Sequence, residues 1–219
     1  MDIDLRLYAL IDPAVAGGRR LTDLAGLIAG SATLVQLRDK HGSTRAMVEE
    51  ARSLRSVLEP AGVPLLINDR VDVALAAEAD GVHIGQDDMA PADARLLLGR
   101  TAVIGLSINT VQQAQAAPLE LLNYVAIGGV FATTSKDDTS TPIGIGGLRA
   151  VVQAVRARKA KFPICAISGI NAGNAVEIIE AGANGVAVIS ALSLASDPAQ
   201  AALDLRAVVD DALKRRGRP

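Results

Sequence analysis

VQLRDK, residues 35–40, begins as a short apolar run and ends abruptly in charged side chains. The same layout recurs at LINDRVD (66–72), GVHIGQDD (81–88), VIGLSINT (103–110), AIGGVFATTSK (126–136) and ICAISGIN (164–171). GVAVIS (185–190) is a seventh run, which ends before a short alanine-rich segment. The runs are apolar without clean alternation, as expected for parallel strands covered on both faces. Polar and glycine residues able to handle phosphate or metal follow each of them. Functional groups at the carboxyl ends of successive strands are the arrangement of an α/β barrel with one composite site at its top.

Working outward, an eighth run lies at the N-terminus. The parse places strands near 5–11, 33–38, 64–68, 81–85, 102–107, 123–128, 163–167 and 184–189. Amphipathic stretches lie between them. Met47, Val48, Ala51, Leu54 and Val57/Leu58 form one helical stripe, and Leu148, Val151, Val152 and Val155 another. Asp197-Pro198 with Gln200 reads as an N-cap, a first-turn proline and a capping-box partner. Gly182 stands just past a helix that Asn171 could cap. Eight strand-helix units of about 27 residues each predict a single-domain (β/α)8 TIM barrel. We assign residues 1–213 to the barrel and 214–219, a basic stretch, to a solvated tail. A doubly wound open sheet is the competing architecture, but no G-x-G-x-x-G follows the first strand. Ala79-Asp80-Gly81-Val82-His83-Ile84 and Ala183-Asn184-Gly185-Val186-Ala187-Val188 echo one another, which fits a half-barrel repeat or turn chemistry alone.

Half of the 219 residues are apolar, enough for a full core, and the formal net charge is −2. That balance argues against nucleic-acid and membrane-surface partners. The aromatics are Tyr8, Tyr124, Phe131 and Phe162, with no Trp, so platforms for base stacking are poorly supplied. The single cysteine, Cys165, lies in an apolar run and reads as a small buried hydrophobe. With no disulfide available, a reducing, cytoplasmic compartment is expected. The N-terminal segment reads as neither a signal peptide nor a transmembrane span. The oligomeric state is open, a homo-oligomer included.

The chemistry starts with Asp69, after the third run, and Asp88, just after the fourth. Neighbouring barrel strands bring their loops together, and two carboxylates with few other protein ligands suit Mg²⁺, which completes its shell with water and substrate phosphate. The blander reading has Asp69 capping the next helix and Asp88 decorating a loop. His83 and His41 are the only histidines, so a His-rich zinc site is not available. Gln36, Arg38 and Lys40 alternate, so all three face one way. On a barrel strand that way is the interior or its mouth, where such groups are costly unless they meet an anion. An Arg fork and a Lys point charge suit a diphosphate. A structural ion pair with Asp39 or Asp69 is the alternative. Thr133, Thr134, Ser135 and Lys136 follow Gly128-Gly129 and could bind a phosphate or leaving group. Ser168-Gly169-Ile170-Asn171 and Ile189-Ser190 occupy the loops that often hold phosphate in such barrels, with 191–195 as a short helix. Two anion sites facing each other across a barrel mouth suggest group transfer with diphosphate leaving.

In order and spacing, VQLRDK, LINDRVD, DGVHIGQDDM, the glycine-then-TTSK loop and GANGVAVIS resemble the thiamine phosphate synthase family, from Leu7 to about Val209. The resemblance implies that a hydroxymethylpyrimidine diphosphate is joined to a thiazole phosphate, giving thiamine phosphate and diphosphate. It implies that Gln36, Arg38 and Lys40 hold the diphosphate with Asn68, Ser107 and Lys136, Leu37 and Asp39 lying within the same segment. Of these, Arg38, Lys40, Ser107 and Lys136 would be the catalytic set. It implies Mg²⁺ on Asp69 and Asp88. Thr133, Thr134, Ser135, Gly169, Ile189 and Ser190 would hold the thiazole phosphate, with His83 and Gln86 near the pyrimidine. Ala132, Ser135, Asn109 and Ser168 depart from the family's usual residues. The rivals are a thiazole tautomerase, whose loop after the fifth strand would carry a His where this chain has Asn109, and a non-catalytic phosphate-binding barrel.

Overall fold

In the computed structural model, which describes residues 3–133 and 141–217, eight parallel strands close into a barrel in sequence order. They are β1 (Leu7–Ile11), β2 (Leu34–Leu37), β3 (Leu65–Asn68), β4 (Gly81–Ile84), β5 (Val103–Ile108), β6 (Tyr124–Ile127), β7 (Ile164–Ile167) and β8 (Gly185–Val188). The helices among the described residues are α1 (Leu21–Ile28), α2 (Thr44–Leu58), α3 (Val71–Ala76), α4 (Pro91–Leu98), α5 (Val111–Ala116), α6 (Gly144–Arg158), α7 (Ala175–Glu180), α8 (Ser190–Ser193) and α9 (Pro198–Arg216). This is the (β/α)8 barrel expected from the eight runs.

Strand alternation sorts the core into two clusters. Leu7, Ala9, Ile11, Val35, Leu37, Leu65 and Ile67 face outward and pack under the helices. Tyr8, Leu10, Leu34, Leu66, Tyr124, Ala126, Cys165 and Ala187 fill the interior. The helical stripes meet the outer cluster as expected: Met47, Ala51, Leu54 and Leu58 of α2 are buried, and so are Leu148, Val151, Val152 and Val155 of α6. Each fully buried Leu or Val contributes about 1.5–3 kcal/mol relative to exposure. Inside the barrel, a Cβ at position 105 would run into the Tyr124 ring, so glycine there makes the room that ring occupies.

The echo between residues 79–84 and 183–188 proves to be half of a fourfold pattern. Asp80 Oδ2 accepts from Leu65 N at 2.8 Å and Asn184 Oδ1 from Ile164 N at 3.0 Å. Thr33 Oγ1 does the same for Leu7 N at 3.0 Å, and Asn123 Oδ1 for Ile104 N at 2.9 Å. The residue entering each even strand thus ties down the start of the preceding odd strand. The Thr, Asp and Asn side chains are interchangeable as acceptors, which hides the period from the sequence.

Three local expectations need correction. Asp197 does cap α9, accepting from Gln200 N at 3.0 Å, but the Gln200 side chain reaches Asp204 instead of closing a capping box. The closed box is at Thr110 and Gln113. Asn171 sits before the turn that leads into α7 and accepts from Gly173 N at 2.8 Å, with Asn174 as the residue at the helix cap. The basic stretch at 214–216 is no tail but the last turn of α9. There Arg216 Nη1 donates to Ile179 O at 2.7 Å and Ala183 O at 2.5 Å, stapling the helix end to α7. No helix of the described residues is long and apolar enough to cross a membrane.

Candidate active site

Because the strands are short and end at similar heights, the residues next in line on the inward parity form the barrel mouth. They define a cavity of about 220 Å³ whose wall includes Tyr8, Gln36, Arg38, Lys40, Asn68, Asp69, His83, Asp88 and Ser107. Gln36, Arg38 and Lys40 do share one face. A second cavity, of about 410 Å³, is lined by Thr133, Ser168, Gly169, Asn171, Ile189 and Ser190. Ile167 and Ala187 belong to both walls, so the two cavities adjoin across the tops of β7 and β8.

Charge in the first cavity is arranged in pairs. Lys40 Nζ donates to Asp69 Oδ2, and Arg38 Nη1 donates to Asp12 Oδ2. The ion pair weighed above as an alternative for Lys40 therefore exists, inside a cavity wall. Arg38 has five N–H donors and uses one of them among the described residues. Asp69 does not cap α3: Arg70 holds that position, without a side-chain cap. Instead Asp69 adopts φ 61°, an uncommon left-handed conformation, with its N–H on His83 O at 2.7 Å. Asp88 Oδ2 accepts from Gly85 N at 2.7 Å, closing the loop that brings it to Asp69. Burial pushes the Asp69 carboxyl up from its ordinary value, and Asp88 adds to this while Lys40 opposes it. Two carboxylates brought together, one of them held by Lys40, form a donor set that a hard divalent ion fits. No third His, Cys, Asp or Glu joins them among the described residues.

Below the mouth runs a chain of buried polar groups. Ser107 Oγ and His83 Nε2 are 2.9 Å apart, and His83 Nδ1 and Tyr124 Oη 2.8 Å. Tyr124 Oη donates to Tyr8 Oη at 2.9 Å, and Gln36 Nε2 donates to Tyr8 Oη as well. Burial raises both tyrosine pKa values, so both stay protonated. In the sequence these tyrosines show only as scarce aromatics. Their signal was parity, since position 8 faces inward with 10 and 12.

The second cavity depends on backbone. Ser168 and Gly169 have φ of 91° and 66°. A Cβ at 169 would meet Ala132 O and Phe131, so only glycine lets these loops touch. Ser168, one of the departures, uses its hydroxyl to accept from Gly129 N at 3.2 Å. Ile189 lines the cavity at the start of α8, which is the short helix expected after the eighth strand.

Not every expected residue reaches a cavity. The Leu37 side chain packs in the outer cluster, since odd positions of β2 face the helices. Asp39 turns back to accept from His41 N at 2.9 Å and Gly42 N at 2.7 Å. Gln86 Nε2 donates to Ser107 O at 2.6 Å, bracing the loop after β4. Thr134, Ser135 and Lys136 lie outside the described residues. Asn109 Oδ1 accepts from Gly128 N at 3.2 Å and Gln113 Oε1 accepts from Asn109 N at 2.6 Å, which makes Asn109 a clip between the loops after β5 and β6.

Comparison with known proteins decides the family. The family described as thiamine monophosphate synthase matches over residues 7–192. The chain belongs to the thiamine monophosphate synthase family. A thiamine-phosphate synthase of Chloroflexus aurantiacus is 48% identical over 94% of each chain. One of Agrobacterium fabrum is 46% identical over 98% of each. The solved thiamine phosphate pyrophosphorylase from Pyrococcus furiosus superposes with a TM-score of 0.83 at 34% identity, covering 96% of this chain and 98% of that one. A 3-hexulose-6-phosphate synthase, at 17% identity and a TM-score of 0.62, shares the barrel alone. The two cavities of this synthase therefore have a reaction to be read against.

Proposed function

We propose that the barrel joins 4-amino-2-methyl-5-hydroxymethylpyrimidine diphosphate to thiazole phosphate, releasing diphosphate and forming thiamine phosphate, with Mg²⁺ at Asp69 and Asp88. The observation that carries this reading is the pairing of two adjoining cavities of different character. One holds Arg38, Lys40, Asp69 and Asp88, and the other carries Thr133, Ser168, Gly169, Asn171 and Ser190 among apolar neighbours. A diphosphate with its cation suits the first, and a monophosphate suits the second.

The C–O bond between the pyrimidinylmethyl carbon and diphosphate breaks, and the diphosphate leaves with the electron pair. The ring's amino group stabilises the resulting cation. The thiazole nitrogen then donates its lone pair to form the C–N bond. That nitrogen carries no proton, so no general base is required. Bound Mg²⁺ would neutralise charge on the departing diphosphate. Arg38 and Lys40 receive the same charge directly, and the adjoining walls hold both rings in one orientation. Gln36 stands two positions below Arg38 and is held by Tyr8, so we place it at the pyrimidine ring instead of the diphosphate. Its Oε1 is buried without a partner among the described residues, as suits a group at a ligand-binding wall.

The two sites separate experimentally. Ser190→Asp puts a negative charge into the second cavity, and we expect KM for thiazole phosphate to rise about tenfold or more, ~1.4 kcal/mol of lost anion binding. KM for the pyrimidine diphosphate should change far less. Equal effects on both substrates would mean the sites are misplaced. Asn109 separates this reading from the tautomerase. Its amide does not titrate and is engaged in holding Gly128, so it cannot shuttle a proton on the thiazole. An NMR time course of thiazole phosphate with enzyme alone should show no interconversion of tautomers. Fast interconversion without any coupling would favour the isomerase.

A further inference from the structure

Asp12 is a buried carboxylate that the coupling reaction does not call for. It follows β1 directly and is 2% exposed, below the mouth of a cavity that should receive a polyanion. A negative charge in that place opposes diphosphate binding. Helix capping does not explain it. Asp12 Oδ1 accepts from Ala14 N at 2.9 Å to cap the turn at Pro13–Val15, but a neutral Asn or Ser oxygen caps as well. The charge has a different partner. Ile11 pairs in register with Leu37, so the next residues, Asp12 and Arg38, stand side by side on the inward parity. Asp12 Oδ2 accepts from Arg38 Nη1, and the side chains of the pair are only 3% and 15% exposed.

The cavity wall includes Arg38 and not Asp12. The carboxylate therefore holds one guanidinium nitrogen from outside the cavity. Among the described residues Arg38 makes no other side-chain hydrogen bond, so its remaining donors are available to a ligand. Without Asp12, the flexible Arg38 side chain has two competing carboxylates in the same cavity wall, Asp69 and Asp88, after the next two strands. Collapse onto them would occupy both the fork and the cation site.

We propose that Asp12 is a positioning residue for the synthase reaction: it fixes the Arg38 guanidinium so that its free N–H groups face the diphosphate and stay off the Asp69–Asp88 pair. This rests on the reading of Arg38 as a diphosphate ligand. The sign of one measurement tests it. If Asp12 were only a background charge, neutralising it would tighten diphosphate binding. If it positions Arg38, neutralising it weakens binding.

The experiment measures inorganic diphosphate binding with Mg²⁺ by calorimetry, and steady-state constants for both substrates, in wild type, Asp12→Asn, Asp12→Ser, Arg38→Met and the double variant Asp12→Asn/Arg38→Met. Both Asp12 substitutions keep a capping oxygen. We expect each to raise the diphosphate Kd and the KM for the pyrimidine diphosphate roughly tenfold, the loss of about one charge-assisted hydrogen bond. KM for thiazole phosphate should stay within about twofold, a split that a general folding defect would not give. Asp12→Asn should add nothing to the diphosphate loss once Arg38 is Met, because the two act as one unit. Tighter or unchanged diphosphate binding in Asp12→Asn, with Arg38→Met still weakened, would overturn the positioning role alone. If Arg38→Met also binds diphosphate normally, the assignment of Arg38 fails and the positioning role with it.

Discussion

Asp69→Asn removes most of the turnover and leaves the metal-free protein at least as stable as wild type. The two halves of this expectation come from one environment. Burial and Asp88 hold the Asp69 carboxyl above its ordinary pKa, with Lys40 opposing only in part. A carboxylate whose folded pKa is raised binds protons more readily in the folded state, so at neutral pH its charge counts against folding. That penalty is present above the folded pKa and disappears as pH falls below the unfolded value. Asparagine removes the charge and tolerates φ 61°. The lost ion pair with Lys40 is half exposed on the lysine side and worth ~0–1 kcal/mol. Thermal melts in EDTA at neutral pH should therefore show Tm unchanged or raised. Turnover with saturating Mg²⁺ should fall about 10²–10³-fold, the usual effect of losing one electrostatic support of a leaving group. Asp88→Asn should lower turnover likewise, and neither change should weaken thiazole phosphate binding. A Tm several degrees lower in Asp69→Asn would mean that the carboxylate is structural.

Arg38→Met carries the second large effect. Each charge-assisted hydrogen bond to the diphosphate contributes roughly 1.5–3 kcal/mol, so kcat/KM should fall about one to two decades. The substitution also strands Asp12 as a buried charge without its ion-pair partner, which costs ~3–5 kcal/mol of stability. Arg38→Lys separates the two consequences. Lysine keeps the charge beside Asp12 and loses the planar fork. We expect Arg38→Lys to melt within a few degrees of wild type while still losing about tenfold in kcat/KM. An Arg38→Met protein that is destabilised yet fully active would make Arg38 a structural partner of Asp12 and nothing more.

What the sequence made legible was whatever a single strand and its end encode. VQLRDK displays Gln36, Arg38 and Lys40 with the correct parity, and LINDRVD and GVHIGQDD display the two carboxylates. All of these reach the first cavity. What it hid depends on contacts between distant segments. Asp12 stands in no motif of the sequence, and its importance emerges only from Arg38 in the next strand. Tyr8 and Tyr124 are 116 residues apart and meet only because the barrel closes. Leu37 and Asp39 lie inside the right motif, yet alternation turns one to the helices and a tight loop turns the other on itself. The contact made by Arg216 was hidden because its acceptors are carbonyls at the end of α7, which composition cannot reveal, while Lys214 and Arg215 are exposed as expected.

On the proposed reading, one barrel mouth, through its two cavities, couples the two phosphorylated rings with metal assistance. Purified protein, EDTA-treated and then supplied with pyrimidine diphosphate and thiazole phosphate, tests it by mass spectrometry of the products. Thiamine phosphate and diphosphate should form in equal amounts when Mg²⁺ is restored, and almost none without it. Full coupling in EDTA would contradict the metal assignment, and no thiamine phosphate with Mg²⁺ and both substrates present would contradict the reading itself.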